Sequence, residues 1–202
     1  MHPRKPAAER QAEIVEATVK LAAATGPDRL SLDAVAAAVG ISQPGIFRHF
    51  PTKKRLWLAV AAWIAERLTG AWESAETEAA PMGRLRKMVQ GQLKLIRSTP
   101  AIPAILFSRT LHSENEALRQ AFETLIGAFH QRLTRQISAA QADGSIRADA
   151  DPAQLASLVM SVVQGTVLRW TVTRQRFDLV SEGMALLDLV LEGFRCDAPA
   201  GR

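Results

Sequence analysis

Gln43, Arg48 and the run Lys53-Lys54-Arg55 are the side chains whose types and spacing suit recognition of a polyanion. A carboxamide donates and accepts side by side, so Gln43 can pair with N6 and N7 of adenine. Arg48 can reach guanine or a phosphate. The three consecutive cations follow Pro51-Thr52, which reads as a chain break and a helix N-cap. Cations in a first helical turn oppose the helix dipole, at roughly a few tenths of a kcal/mol each. They are well placed where that helix end, amides and ammonium groups together, faces an anion such as a phosphate backbone. Ser31 and Ser42 each precede a helical stretch, so their hydroxyls can cap it and also donate to phosphate. The competing reading of Gln43 is a solvated amide at a helix start.

Such side chains need a short helix held against its neighbours, and residues 31–56 supply one. Leu32, Val35, Ala36 and Val39 recur at i, i+3, i+4 and i+7, the apolar face of a helix. Ser31 is its N-cap, and Asp33 has the sign that the dipole favours. Ala36, Ala37 and Ala38 keep it slim enough for another helix to cross closely. Gly40 ends it, because glycine tolerates the left-handed backbone of a tight turn. Ile41 fills the inside of that turn. Ser42 then caps a third helix with Pro44 in its first turn, where a missing N–H costs nothing. In this pattern Ile46, Phe47 and Phe50 face inward, while Gln43, Gly45, Arg48 and His49 face out. Gly45 either lets the helix lie close to a groove wall or answers a local packing need. A preceding helix over about 9–24 ends at Gly26-Pro27. The whole reads as a helix-turn-helix.

Charge agrees with that placement. Residues 1–56 hold nine Lys and Arg against five Asp and Glu, and the remainder is balanced to within one charge. Residues 34–65 contain no acid. A local basic surface favours a polyanion, although mild basicity is common among small domains. Arg4 and Lys5 can track a groove as basic arms do, or remain a solvated tail.

The 202 residues leave room for a small domain joined to a larger one. Helical spacing continues from Lys53 to about residue 78 and again over about 84–97. A short piece bracketed by Pro100 and Pro103 leads to Leu111. Further helices are expected over about 114–141, from Asp151-Pro152 for about twenty residues, and over about 177–194. The valines after Asp151 raise a strand alternative, which the length between turn signals decides for a helix. The fold expected is therefore all-α with about nine helices: an N-terminal three-helix helix-turn-helix domain over 1–56 and a C-terminal helical bundle over 57–202. The last two helices are apolar on more than one side, which implies a subunit interface. The body can hold a small molecule between its helices. Trp63, Arg67, Gln92, Phe107, Phe129, His130 and Gln164 are the candidate lining residues, each with ordinary packing as the alternative. Their apolar majority suggests an apolar or amphipathic ligand.

Other classes are poorly served. One cysteine, Cys196, excludes an intramolecular disulfide and a cysteine-rich zinc site, and fits a reducing, cytoplasmic setting. The N-terminal stretch has no apolar core behind its charge and does not read as a signal peptide. The longest uncharged run, residues 152–168, is short and polar for a bilayer span. His112 and His130 lack partners at metal-ligand spacing, and neither a Gly-rich phosphate loop nor a serine elbow occurs. No catalytic residue, metal or cofactor is expected.

The compound pattern over residues 32–56 resembles the helix-turn-helix of TetR-family transcriptional regulators. Its carriers are Gly40-Ile41-Ser42, then Phe47-Arg48-His49-Phe50, then Lys53 and Leu56. In the body, Gly144-Ser145-Ile146, Asp151-Pro152 and Gln164-Gly165 also resemble family members. The resemblance implies a homodimer joined through its two C-terminal helices and bound to a near-palindromic duplex operator. It implies repression relieved by a small-molecule effector. It implies DNA contacts from Ser31, Ser42, Gln43, Pro44, Gly45, Phe47, Arg48, His49 and Lys53, with His49 and Lys53 as phosphate ligands. Phe47 stands where the family usually has Tyr, so one phosphate hydrogen bond of roughly 1 kcal/mol is missing. Lys54 stands where an acid is frequent. The alternative class is a helical scaffold whose helix-turn-helix contacts protein; an enzyme ranks last.

Overall fold

The computed structural model describes residues 6–196, so Arg4 and Lys5 lie outside the described residues. Ten α-helices follow one another: α1 (Ala7–Thr25), α2 (Leu32–Val39), α3 (Gln43–His49), α4 (Lys53–Glu73), α5 (Pro81–Ser98), α6 (Ala101–Leu106), α7 (Arg109–Glu114), α8 (Glu116–Ala142), α9 (Pro152–Val172) and α10 (Leu179–Glu192). Single 3-10 turns occupy Pro27–Arg29 and Ser74–Thr77. The fold is all-α as expected. The only extended pairing among the described residues is an isolated antiparallel bridge between Ile146 and Arg195. One helix more than expected appears because the piece after Pro100 divides. Phe107 leaves the helical path, and Ser108 caps a new helix by accepting from the Leu111 amide at 3.1 Å.

The chain forms two compact units from non-consecutive pieces. The first joins the chain up to Glu66 with Thr99–Thr124, and the second joins Arg67–Ser98 with the chain from Leu125 onward. In the first, α1 buries Ile14, Val15, Val19 and Ala22 and packs against α2, α3 and α6. Thr18 is also fully buried, and its hydroxyl donates to the Ile14 carbonyl at 2.7 Å, so no polar group is stranded there.

In the second unit, α10 packs against α5 and α9. Leu85, Met88, Val89, Leu93 and Ile96 form the buried stripe of α5. Side-chain caps set the starts of α9 and α10: Asp151 accepts from the Ala153 amide, and Asp178 from the Ser181 amide. That amide, and to a smaller degree Arg97, holds the Asp178 carboxyl below its ordinary pKa. The helix α9 runs on through Arg169 and Trp170 to Val172. By length and composition alone it now meets the requirement for crossing a bilayer, contrary to the expectation from residues 152–168. Its inward face, with Leu155, Val159, Val163, Val167 and Trp170, is buried within the unit, as in a core helix.

Helix α10 reaches α5 at Gly183. A β-carbon placed on this buried glycine would lie 2.6 Å from Cδ1 of the fully buried Leu93. Small-to-large changes in such a place force off-rotamer side chains. Gly183→Val should therefore lower stability by about 2–3 kcal/mol, read as a drop of several degrees in a thermal melt. An unchanged melting temperature would mean that α10 is not seated on Leu93.

Candidate nucleic-acid interface

The helix-turn-helix is built from local bonds that its residue types demand. Ser31 accepts from the Ala34 amide at 3.1 Å and starts α2. Gly40 ends it with φ 72° and ψ 36°, in the left-handed region. The Gly40 and Ile41 amides turn back onto the carbonyls of Ala37 and Ala36 at 3.2 and 3.0 Å. Ser42 occupies the N-cap of α3, but its hydroxyl makes no capping bond, contrary to expectation. The Gly45 and Ile46 amides are met instead by the Ser42 carbonyl.

One face of α3 is buried and the other open. Ile46 is 0% and Phe50 7% exposed, whereas Gln43, Pro44, Phe47 and Arg48 are exposed. Phe47 was expected inside; it is 40% exposed because it stands four residues after Gln43, one turn along the outer face. His49 and Gly45 are half-buried. A β-carbon on Gly45 would lie 3.5 Å from Ile41 and Ser42, an ordinary contact, so internal packing does not require glycine here.

At the start of α4, Thr52 accepts from the Arg55 amide at 3.2 Å, the expected cap. Lys53 has a second task that its sequence position did not show. Its Nζ donates to the Leu30 carbonyl at 2.8 Å, tying the start of α4 to the residue before the α2 cap. Two of its three N–H bonds stay free for an anion. Arg48, Lys54 and Arg55 are exposed and have no ion pair among the described residues.

Residues distant in sequence brace this head within the first unit. The Ser108 hydroxyl donates to the Asp28 carboxylate at 2.5 Å. Asn115 Nδ2 donates to the Lys54 carbonyl at 3.2 Å, while its Oδ1 accepts from the Leu118 amide at 3.3 Å and so caps α8. Neither cap, and neither second bond, is among the sequence expectations, which carry one piece from Pro100 to Leu111 and start the next helix at about residue 114.

The seven candidate ligand residues fall in different places. Trp63 and Phe107 belong to the first unit, with Phe107 exposed. In the second, Gln92 and Phe129 converge on Trp72, which sequence reasoning passed over although it stands four residues after Leu68 on the same stripe. The Trp72 indole N–H donates to Gln92 Oε1 at 2.8 Å, and its ring stacks on Phe129 at 5.0 Å. His130 Nε2 lies 3.1 Å from the Ala153 carbonyl and 3.0 Å from the Ser157 hydroxyl, which fastens α8 to α9. Arg67 and Gln164 are half-buried. His112 Nε2 donates to the Leu106 carbonyl at 2.9 Å, with its ring edge-on to Phe122. Among the described residues, His, Cys, Asp and Glu form no group of three that could hold a metal ion.

A short helix seated by a glycine turn, with a polar outer face and an acid-free basic rim, is the reading element of a helix-turn-helix DNA-binding regulator. Sequence comparison agrees: residues 14–60 match the pattern of bacterial regulatory proteins of the tetR family, and residues 81–179 match the tetracyclin repressor-like C-terminal domain. The chain belongs to the TetR family and is a DNA-binding transcriptional regulator of that family. The nucleoid occlusion factor SlmA of Shewanella pealeana is 26% identical over 178 residues, covering 86% of this chain and 88% of that protein. A TetR transcription regulator from Haloarcula marismortui has the same fold, with a TM-score of 0.83 at 18% identity over 94% of this chain and 100% of that one. So does FadR of Bacillus subtilis, solved with stearoyl-CoA, with a TM-score of 0.75 at 18% identity over 91% and 99%.

Asn115→Ala removes the α8 cap and its bond to Lys54 together. It should cost about 1–2 kcal/mol, the usual range for a lost cap, and speed hydrogen exchange at the Leu118 amide. Unaltered exchange there would show that the brace is not formed.

Proposed function

We propose that the protein is a homodimeric, cytoplasmic repressor that binds a near-palindromic operator and leaves it when a small molecule occupies the second unit. The observation that carries this reading is the open face of α3, with Gln43 and Arg48 outward beside the cations of α4. Gln43 reads adenine, and Arg48 reads guanine or grips phosphate. Pro44 fixes the start of α3, and Gly45, which no neighbour requires, admits a close approach to the groove. The exposed Phe47 ring offers an apolar contact, such as a thymine methyl. Ser31 accepts in its cap and still has its own proton for a phosphate; Ser42, without a capping bond, has the same use. His49 and the free N–H groups of Lys53 complete the phosphate contacts, which position the helix without reading sequence.

The dimer reading is supported by an uncovered stripe on the second unit. Leu158, Ser161, Gly165, Leu168 and Val172 follow one another at alternating spacings of three and four along α9, and all are exposed. Ala185 and Leu189 do the same on α10. Val172 is 73% and Leu189 72% exposed, and a contiguous run of exposed apolar residues, unlike a single one, marks an interaction surface. The small residues at 161 and 165 permit a close helix approach. A second copy of the same stripe covers it by two-fold symmetry, and symmetry of that kind places two α3 helices on related half-sites. No enzymatic step is proposed, and family membership does not favour a purely scaffolding role.

A second reading has one observation in its favour, the similarity to nucleoid occlusion factors along most of the chain. In that reading the DNA-bound dimer acts on chromosome organisation and not at promoters. Mapping the bound sites in cells, with transcript levels in a deletion strain, separates the two.

Selection from a random duplex pool at several salt concentrations tests DNA recognition. A palindrome should be enriched, with affinity falling steeply as salt rises. Gln43→Ala should relax preference at particular base pairs by about 1–3 kcal/mol. Lys53→Ala should weaken all sequences alike and lower the salt slope by about one. No enrichment at any salt would refute the reading. For the dimer, Leu189→Glu should yield monomers in solution mass measurements and abolish operator binding. A wild-type protein that is monomeric at micromolar concentration would refute that part.

A further inference from the structure

We propose that the second unit holds a site for the oxyanion head group, carboxylate or phosphate, of an amphipathic ligand. The site is a cleft of about 420 Å³ between the end of α4, the Ser74–Thr77 turn, α5 and α8. Arg84, Arg132 and Arg135 line it, against a single acid, Glu76.

Each arginine keeps N–H bonds that the protein does not use. Arg84 donates from Nε and Nη2 to the carbonyls of Glu78 and Ala79 at 2.8 and 2.7 Å, which fixes its plane and leaves its other N–H bonds over. Arg132 lies over the Trp72 ring at 5.4 Å. Its nearest acid, Glu73, is 3.7 Å away, too long for a charge-assisted hydrogen bond. Trp72 is itself fixed by Gln92 and Phe129, so the wall behind Arg132 is preset. Arg135 stands three residues on, on the same face of α8. It has neither a hydrogen bond nor an ion pair among the described residues.

The three guanidinium groups outnumber the carboxylates beside them, Glu76 and Glu73, so a bound anion would offset the repulsion that remains. Their planar forks match the two oxygens of a carboxylate or phosphate. At the same cleft the Gln136 carboxamide oxygen is buried with no hydrogen-bond partner. Buried polar atoms are seldom left so, and a ligand hydroxyl or amide N–H would satisfy it. Met88 and Trp72, both nearly buried, give the cleft a small apolar floor from which the rest of the molecule would extend. The ligand class is thereby narrowed from apolar or amphipathic to an amphipathic anion. This rests on the reading of the second unit as effector-binding.

Calorimetric titration of the full-length protein with decanoate, decyl phosphate and decanol tests the site, since the three share one chain length. One of the two anions should bind at least tenfold more tightly than decanol, and which one does so identifies the head group. Arg135→Gln and Arg132→Gln should each weaken that anion by about tenfold to a hundredfold, with Arg135→Lys recovering part of the loss. Arg135 has no partner to lose, so its variant should melt as the wild type does and bind DNA unchanged without ligand. The proposal is overturned if neither anion binds, if decanol binds as well as they do, or if Arg135→Gln leaves anion affinity within twofold. Operator release is read separately. An anion bound through Arg135 that does not release DNA would sink effector control and leave the site standing.

Discussion

The presentation of α3 depends on one backbone constraint, the left-handed conformation at Gly40. It lets the chain reverse within a few residues while the Gly40 and Ile41 amides remain bonded to α2. An L side chain at this position would resist that conformation. Because the reversal is tight, Ile46 is driven fully into the first unit and Phe50 follows one turn later. The helical period then leaves Gln43, Pro44, Phe47 and Arg48 no direction but outward. The chemistry of the outer face follows from the burial of the inner one.

A helix of only seven residues has little stability of its own, so its geometry must be held from elsewhere. Side chains at the starts of helices that bond a second element do this. Lys53 links the start of α4 to the entry of α2, Asn115 links the start of α8 to α4, and Ser108 links the start of α7 to Asp28. Ser108 and Asn115 are both buried, and each of their polar side-chain atoms has a hydrogen-bond partner, so the bracing adds no stranded polar atom. The segment Thr99–Thr124 thus belongs with the head although the chain leaves and returns to reach it.

Local features were legible in the sequence for the same reason that they form. Caps at Ser31, Thr52 and Asp151 and the turn at Gly40 are decided by a residue and its nearest neighbours. The all-α fold and the outward placement of Gln43 and Arg48 on α3 rest on period alone. What could not be read depends on partners distant in sequence. The second bond of Lys53, the division of α6 from α7 and the role of Trp72 as a fixed wall each require knowing what lies across the packing. Phe47 is a separate case. Its apolar type argued for the interior while its position argued for the surface, and position prevailed because Ile46 and Phe50 already filled the buried face. Ser42 likewise has the residue type of a cap, yet its carbonyl meets the first amides of α3 and its hydroxyl is left over.

The second unit shows two kinds of unfinished surface on one packed group. Helix α10 carries the exposed Ala185 and Leu189, and α5 carries Arg84. Between them Gly183 lies so close to Leu93 that there is no room even for a methyl group without repacking. Interiors packed at that density pass on a displacement instead of absorbing it, so α5 and α10 behave as a single block. The arginine cleft and the apolar stripe are then two edges of that block, one deficient in negative charge and the other in apolar cover. The arginines of the cleft outnumber the acids beside it, Glu73 and Glu76, and the stripe faces away from the core of the unit.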